Sequence, residues 1–208
     1  MKKIPLATPT MHTEERKYIQ KAFETNWISP LGPNIDEFEN TVAAYVGASS
    51  CAALSPGTAA LHLSVILAGV KENDMVFVPS LTFAASVNPI RYEYAMPVFI
   101  DSERDTWNMD AEALRKAFEI YPHPKAVMAV HLYGTSANMD EICALCKEHE
   151  VPLIEDAAES LGTTYRGKMT GTFQMLLPGS DAGRCSILRS IYRRNTKFIK
   201  RIKKPFRI

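Results

Sequence analysis

Residues 151–162 read VPLIEDAAESLG. Four apolar-leaning residues run into two adjacent carboxylates, Glu155 and Asp156, followed by small residues, then Glu159, Ser160 and Gly162. An apolar run without polar alternation suits a strand covered on both faces, as in a parallel sheet flanked by helices. In open α/β sheets ligands bind outside the carboxyl ends of such strands. Asp156 therefore stands where a ligand is expected.

The flanking sequence repeats that plan. Strands are expected at 50–55, 75–79, 96–101 and 126–131, and helices at 59–70, 83–92, 110–120 and 138–149. Two more helices precede them. The first covers 13–25, with Thr13 as cap and Tyr18, Ile19, Ala22 and Phe23 on one apolar face. The second opens at Asn34 with Glu37 as a capping-box partner and closes at Gly47. A further Asn-x-x-Glu cap, Asn138 with Glu141, opens the helix at 138–149. Strand–helix alternation with short connections implies a three-layer α/β fold around a parallel or mixed sheet.

The alternation stops near Phe173. Residues 1–173 read as one large domain, and 174–208 as a basic, solvated, disordered tail. Within the tail Ile187, Leu188, Ile191 and Tyr192 fit one helical turn or two. The net charge of +1 hides this break. From Arg184 onward there are ten Lys/Arg and no Asp/Glu, leaving 14 basic against 23 acidic residues before it, a net of −9. The basic charges lack periodicity and an aromatic platform, so nucleic acid is not the expected partner, although a non-catalytic binding role for the tail is the competing reading. No apolar run approaches the roughly 18–20 residues that span a bilayer. Four cysteines, at 51, 143, 146 and 185, form no disulfide framework, and a reduced, cytoplasmic setting follows.

Several positions bear chemistry. Ser55-Pro56-Gly57-Thr58-Ala59 joins a strand to a helix. Its backbone N–H groups at a positive helix end suit a phosphate, though an ordinary βα turn looks the same. Phe83 follows a strand and can stack on a planar ligand or simply join the core. His131 ends a strand on the ligand edge, whereas His62 lies in an apolar helix and reads as packed. Cys143-x-x-Cys146 has metal spacing but lies inside one helix without a second Cys/His pair, so no metal site is expected. Neither G-x-G-x-x-G nor G-x-x-x-x-G-K-[ST] occurs, which argues against dinucleotide-binding reductases and P-loop NTPases.

NWISPLGPNIDEFE, SPGTAALHL, VFVPSLTFAASVNPI, AVHLYG and PLIEDAAESLGTTYRGKMTGTF follow one another from about Ile4 to Phe173. In that order they resemble the DegT/StrS-type sugar aminotransferases. The resemblance implies the large domain of the aspartate-aminotransferase fold (fold type I) and pyridoxal 5′-phosphate (PLP) as cofactor. It implies that Gly57, Thr58 and Ala59 hold the cofactor phosphate, that Phe83 stacks on its ring, and that Asp156 pairs with the ring nitrogen. Glu159 takes the place beside the ring's phenolic oxygen. Trp27 and Ser29 would lie near the sugar or a neighbouring subunit's cofactor, with His131 as a further substrate contact, since the family builds its sites at a homodimer interface. The implied reaction moves an amino group from an amino acid, glutamate by family, to a nucleotide-linked keto-deoxy sugar in surface-polysaccharide synthesis.

One departure from the family matters. After Gly171-Thr172-Phe173 the family continues to its Schiff-base lysine, whereas here the sequence is QMLLPGSDAGRCSILRS, with Cys185 about where the lysine belongs. No lysine occurs between Lys168 and Lys197. The expectation is a truncated large domain, frameshifted or deleted near codon 174, with no catalytic lysine and little or no activity.

Overall fold

The computed structural model describes residues 14–29 and 31–173, with the backbone of 187–188 and 190–191. The chain divides into two units, Met1–Phe38 and Glu39–Ile208.

In the first unit α1 (Glu14–Glu24) carries Glu14 and Glu15 in its first turn and Lys21 in its last, the polarity that the helix dipole favours. Thr25 Oγ1 donates to Lys21 O at 2.7 Å and closes the helix. No residue of α1 is buried. The following loop turns at Gly32, whose φ is +125°. A Cβ there would run into the Trp27 indole, so only glycine fits. α2 (Pro33–Val46), which begins in this unit and continues into the second, starts one residue before the expected Asn34. Gly32 O accepts from the N–H groups of Ile35 and Asp36 at 3.0 Å each, and Pro33 takes the first helical position, where its missing N–H costs nothing.

The second unit holds β1 (Ala52–Ala53), α3 (Gly57–Leu67), β2 (Met75–Pro79), α4 (Ala84–Tyr92), β3 (Met96–Ile100), α5 (Ala111–Ile120), β4 (Ala126–Val130), α6 (Met139–Glu148) and β5 (Leu153–Asp156). The α/β alternation is thus as read from sequence, with β1 shorter than the expected 50–55. Strands β3, β2, β4 and β5 are neighbours in that order and all parallel. Between β4 and β5 the register sets Val127 on Leu153 and Val130 on Asp156.

Alternation along the strands sorts side chains onto two faces. Val76, Val78, Ala126, Met128 and Ile154 face one way and pack on Ala60, Leu61 and Val65 of α3 and Ile90 of α4. Phe77, Val127, Ala129 and Leu153 face the other way, onto Leu114 and Phe118 of α5 and Ile142 and Leu145 of α6. Each such buried Leu or Ile contributes about 1.5–3 kcal/mol. The result is a helix–sheet–helix sandwich whose strand carboxyl ends all point to one edge.

Two local expectations differ from what forms, and one hairpin has no counterpart in the sequence reading. Asn138 does not cap α6 through its side chain. Its Nδ2 donates to Glu141 Oε1 at 2.6 Å, and its Oδ1 accepts from the Tyr165 hydroxyl at 3.0 Å. A hairpin of β6 (Thr164–Tyr165) and β7 (Lys168–Met169) turns at Arg166-Gly167, both at positive φ. Two-residue strands are too short to alternate visibly. In place of a helical turn at Ile187, Leu188, Ile191 and Tyr192, the backbone forms β8 (Ile187–Leu188) and β9 (Ser190–Ile191). β8 pairs in parallel with β5 through Asp156 and Ile187, and β9 pairs antiparallel with β8 and β1. The open edge of β5 offers unpaired backbone groups, and a strand satisfies them where a helix cannot. Tyr192 and the rest of the basic tail lie outside the described residues.

Among the described residues no group of three or more His, Cys, Asp and Glu is arranged to hold a metal ion. Burial raises the Cys143 thiol to about 11, with Glu155 adding to the effect, and burial pushes Cys146 higher still. At pH 8 only about one part in a thousand of Cys143 is thiolate. The Cys143 peptide should therefore resist iodoacetamide at pH 8, with labelling rising about tenfold per pH unit up to about 11, as read by mass spectrometry.

Candidate active site

A cavity of about 410 Å³ opens at the carboxyl edge, between α3, α4 and the ends of β4 and β5. Asp156 lies at its floor, 6 % exposed. As the last residue of β5 it follows Ile154 on the face that α3 and α4 cover. Ser86, on the first turn of α4, donates its hydroxyl to Asp156 Oδ2 at 2.7 Å. The Ala158 N–H donates to Oδ1 at 3.2 Å. With the Ser86 proton committed to the carboxylate, Thr82 must donate across the 2.8 Å contact between its hydroxyl and that of Ser86. Among the described residues no Lys, Arg or His pairs with Asp156. A buried carboxylate held by neutral donors alone lacks the counter-cation that would offset its desolvation.

The cavity's other walls are equally specific. Gly57 and Thr58 line it at the start of α3, and Pro56, the residue just before that helix, provides no side-chain cap. First-turn N–H groups of a helix have no partner inside it, so this wall offers donors to an anion. Ala59 is not part of the lining, and its N–H closes the first turn onto Pro56 O at 3.0 Å. The ring of Phe83 lines the mouth, 78 % exposed, an unusual exposure for a phenylalanine fixed at a helix start. Glu159 lines the opposite side, where its Oε2 accepts from the Tyr133 N–H at 2.8 Å. Leu61, Val130 and Leu132 supply apolar wall between them.

His131 is not in this cavity. It is fully buried on the opposite face of the sheet, with Nε2 3.1 Å from Glu155 Oε2. Strand alternation explains the correction: Val130 faces the cavity, so the next residue points toward α5 and α6, as Glu155 does beside Asp156. Trp27 and Ser29 belong to the N-terminal unit. There the Trp27 indole N–H donates to Leu31 O, and Ser29 Oγ accepts from the Leu31 N–H at 3.3 Å. Ser86 and Thr82 are the site residues that sequence reasoning missed. Ser86 lies three residues after Phe83, one helical turn further on the same side, which was the available signal.

A family model described as the DegT/DnrJ/EryC1/StrS aminotransferase family matches residues 9–177. The chain belongs to this family. A Bacillus subtilis relative, named as putative pyridoxal phosphate-dependent aminotransferase EpsN, is 56 % identical over 83 % of this chain and 45 % of its own length. The GDP-perosamine synthase of Escherichia coli O157:H7 is 40 % identical over 83 % of this chain and 47 % of its own. Among solved structures, an E. coli GDP-4-keto-6-deoxy-D-mannose-3-dehydratase with bound hydrated PLP superposes with a TM-score of 0.75 at 28 % identity, covering 81 % of this chain and 44 % of that one. The family is thus one of PLP enzymes, and the α/β sheet is the one its members use. The chain spans about half the length of the curated relatives it matches.

Proposed function

We propose that this chain builds the cofactor-gripping half of a PLP-dependent sugar aminotransferase and lacks the lysine that would bond the cofactor. Asp156 carries the reading: it is a buried carboxylate in a cavity, held in place by Ser86 and Ala158, with no cation among the described residues to balance it. A protonated ring nitrogen is the cation that fits such a site. The residues present suit the rest of PLP as well. Gly57 and Thr58 would hold the phosphate at the positive end of α3, Phe83 would cover a ring face, and Glu159 would stand by the phenolic oxygen.

Bound there, PLP supplies an electron sink for the carbon that gains or loses the amino group. What this chain contributes is the ionised Asp156, which keeps the proton on the ring nitrogen, together with the donors that fix the ring's orientation. The substrates of this reading are an amino-acid donor, glutamate by family, and a nucleotide-linked keto-deoxy sugar, in keeping with a GDP-perosamine synthase among the relatives. A homodimer is part of it. Support comes from α1, which buries none of its residues although Tyr18, Ile19 and Phe23 are apolar. Trp27 and Ser29 would then serve a neighbouring subunit's site. Among the described residues no helix is long and apolar enough to cross a membrane.

The test is titration of the purified chain with PLP, followed by borohydride reduction and peptide mass mapping. Saturable binding that dialysis reverses, with no lysine trapped, is the expected result. No binding overturns the cofactor reading, and a PLP adduct on one defined lysine overturns the missing-lysine reading.

A further inference from the structure

Residues 132–134 form a single 3-10 turn after β4 in which Tyr133, a non-glycine residue, sits at φ 51°, ψ 33°. Left-handed backbone in a bulky residue is unfavourable and persists only where neighbours over-determine it, often at functional sites. Here three side chains from two separate segments, Asn108 from one and Glu159 and Thr163 from the other, hold the turn. Asn108 Oδ1 accepts from the Leu132 N–H at 2.8 Å, and Asn108 Nδ2 donates to Thr135 O at 3.1 Å. Thr163 Oγ1 donates to Gly134 O at 2.7 Å. Glu159 Oε2 accepts from the Tyr133 N–H at 2.8 Å. The same turn places Leu132 in the cavity wall, while Glu159 lines the cavity itself.

Asn108 has no place in the cavity lining. It is 3 % exposed, next to Trp107 at 60 %. Both ends of its amide are used, since Nδ2 also donates to Thr106 Oγ1 at 3.0 Å. The loop that carries it is pinned in turn, with the Glu103 N–H donating to Asn108 O at 3.0 Å. A buried, fully satisfied amide that spans both ends of a strained turn has a more specific task than filling space.

The geometry points to Asn108 as a positioning residue: it locks the 132–135 turn so that the Tyr133 N–H holds one oxygen of Glu159 and the other is aimed into the cavity. The inference rests on the PLP reading only for the identity of what Glu159 faces. The clamp itself is a property of the cofactor-free chain.

Two measurements on the full chain test it, each with Asn108→Ala and Thr163→Val, which loosen the turn from different segments. The first is hydrogen exchange of the 132–135 peptide by mass spectrometry without cofactor, expected to quicken about tenfold or more in both variants. The second is the pH midpoint of the absorbance change of bound PLP. A carboxylate beside an ionising oxygen disfavours its anion, so losing the aim of Glu159 should lower the midpoint by about half a unit, as Glu159→Ala also should. Ile142→Val, in the α6 core, should lower the melting temperature and leave both readouts unchanged. Unchanged exchange in Asn108→Ala overturns the clamp. Faster exchange with an unmoved midpoint overturns the aiming of Glu159. If the unaltered chain takes up no PLP, the cofactor reading fails, and the exchange measurement alone decides whether Asn108 holds the turn.

Discussion

Asp156→Asn is expected to weaken PLP binding about 30-fold or more while leaving the cofactor-free chain at least as stable as the unaltered one. The two effects have one cause. Removing one partner from a desolvated, hydrogen-bonded charge pair costs about 2–5 kcal/mol of binding, and 1.4 kcal/mol is tenfold in affinity. Without cofactor the same carboxylate is a buried charge whose partners among the described residues are a hydroxyl and an amide. An amide in its place accepts from the Ala158 N–H through its oxygen and presents its NH₂ to Ser86. Ser86 can accept it by turning its own proton toward Thr82, which is 2.8 Å away. The polar chain survives reversed and the buried charge is gone. Sites that keep an uncompensated charge for a ligand are where stability and function oppose each other. Titration by fluorescence and thermal melting of the cofactor-free variant read the two effects. An unchanged affinity sinks the assignment of Asp156, and a loss of affinity that follows a collapsed melting temperature reduces it to a packing role.

How much of this could be read from the sequence depends on which interaction sets each feature. β5 and its carboxylate end were visible because an apolar run ending on Glu155-Asp156 has few other homes than a covered parallel strand. The turn at Gly57 was visible because its chemistry lies in consecutive residues. The destination of His131 was not. It turns on a one-residue parity between β4 and β5, with Val130 set against Asp156, and a slip of one residue would have sent the imidazole into the cavity. Ser86 was hidden for a related reason. Its partner is 70 residues away, and only the packing of α4 over the end of β5 brings them together. The strands at 187–191 follow from the open backbone edge of β5, a property that no side-chain pattern in the tail announces.

His131→Leu is expected to cost the chain about 3–5 kcal/mol of stability, the largest loss predicted for a single residue. The imidazole's role follows from its two nitrogens. Nδ1 accepts from the Ala137 N–H at 3.2 Å, so it carries no proton, and Nε2 must hold the hydrogen it gives to Glu155 Oε2. The histidine is therefore neutral. Glu155 Oε2 also accepts from the Gly171 N–H at 2.7 Å, while Oε1 is buried with no partner among the described residues. The pair ties β4, β5 and the segment after β7 together in otherwise apolar surroundings. Leucine fills the volume but leaves Glu155 with one donor and the Ala137 N–H with no acceptor, and each unmet buried group costs about 1–3 kcal/mol. Glu155→Leu should be costly for the reciprocal reason. The double replacement should be milder than the sum of the two, because it removes the buried carboxylate along with its partner and leaves only the Ala137 and Gly171 N–H groups unmet. Urea unfolding of the four chains measures this coupling. Strict additivity would mean that the pair acts as two independent residues. Recovery in the double variant would show that its stabilising effect is conditional, each member needed chiefly because the other is there.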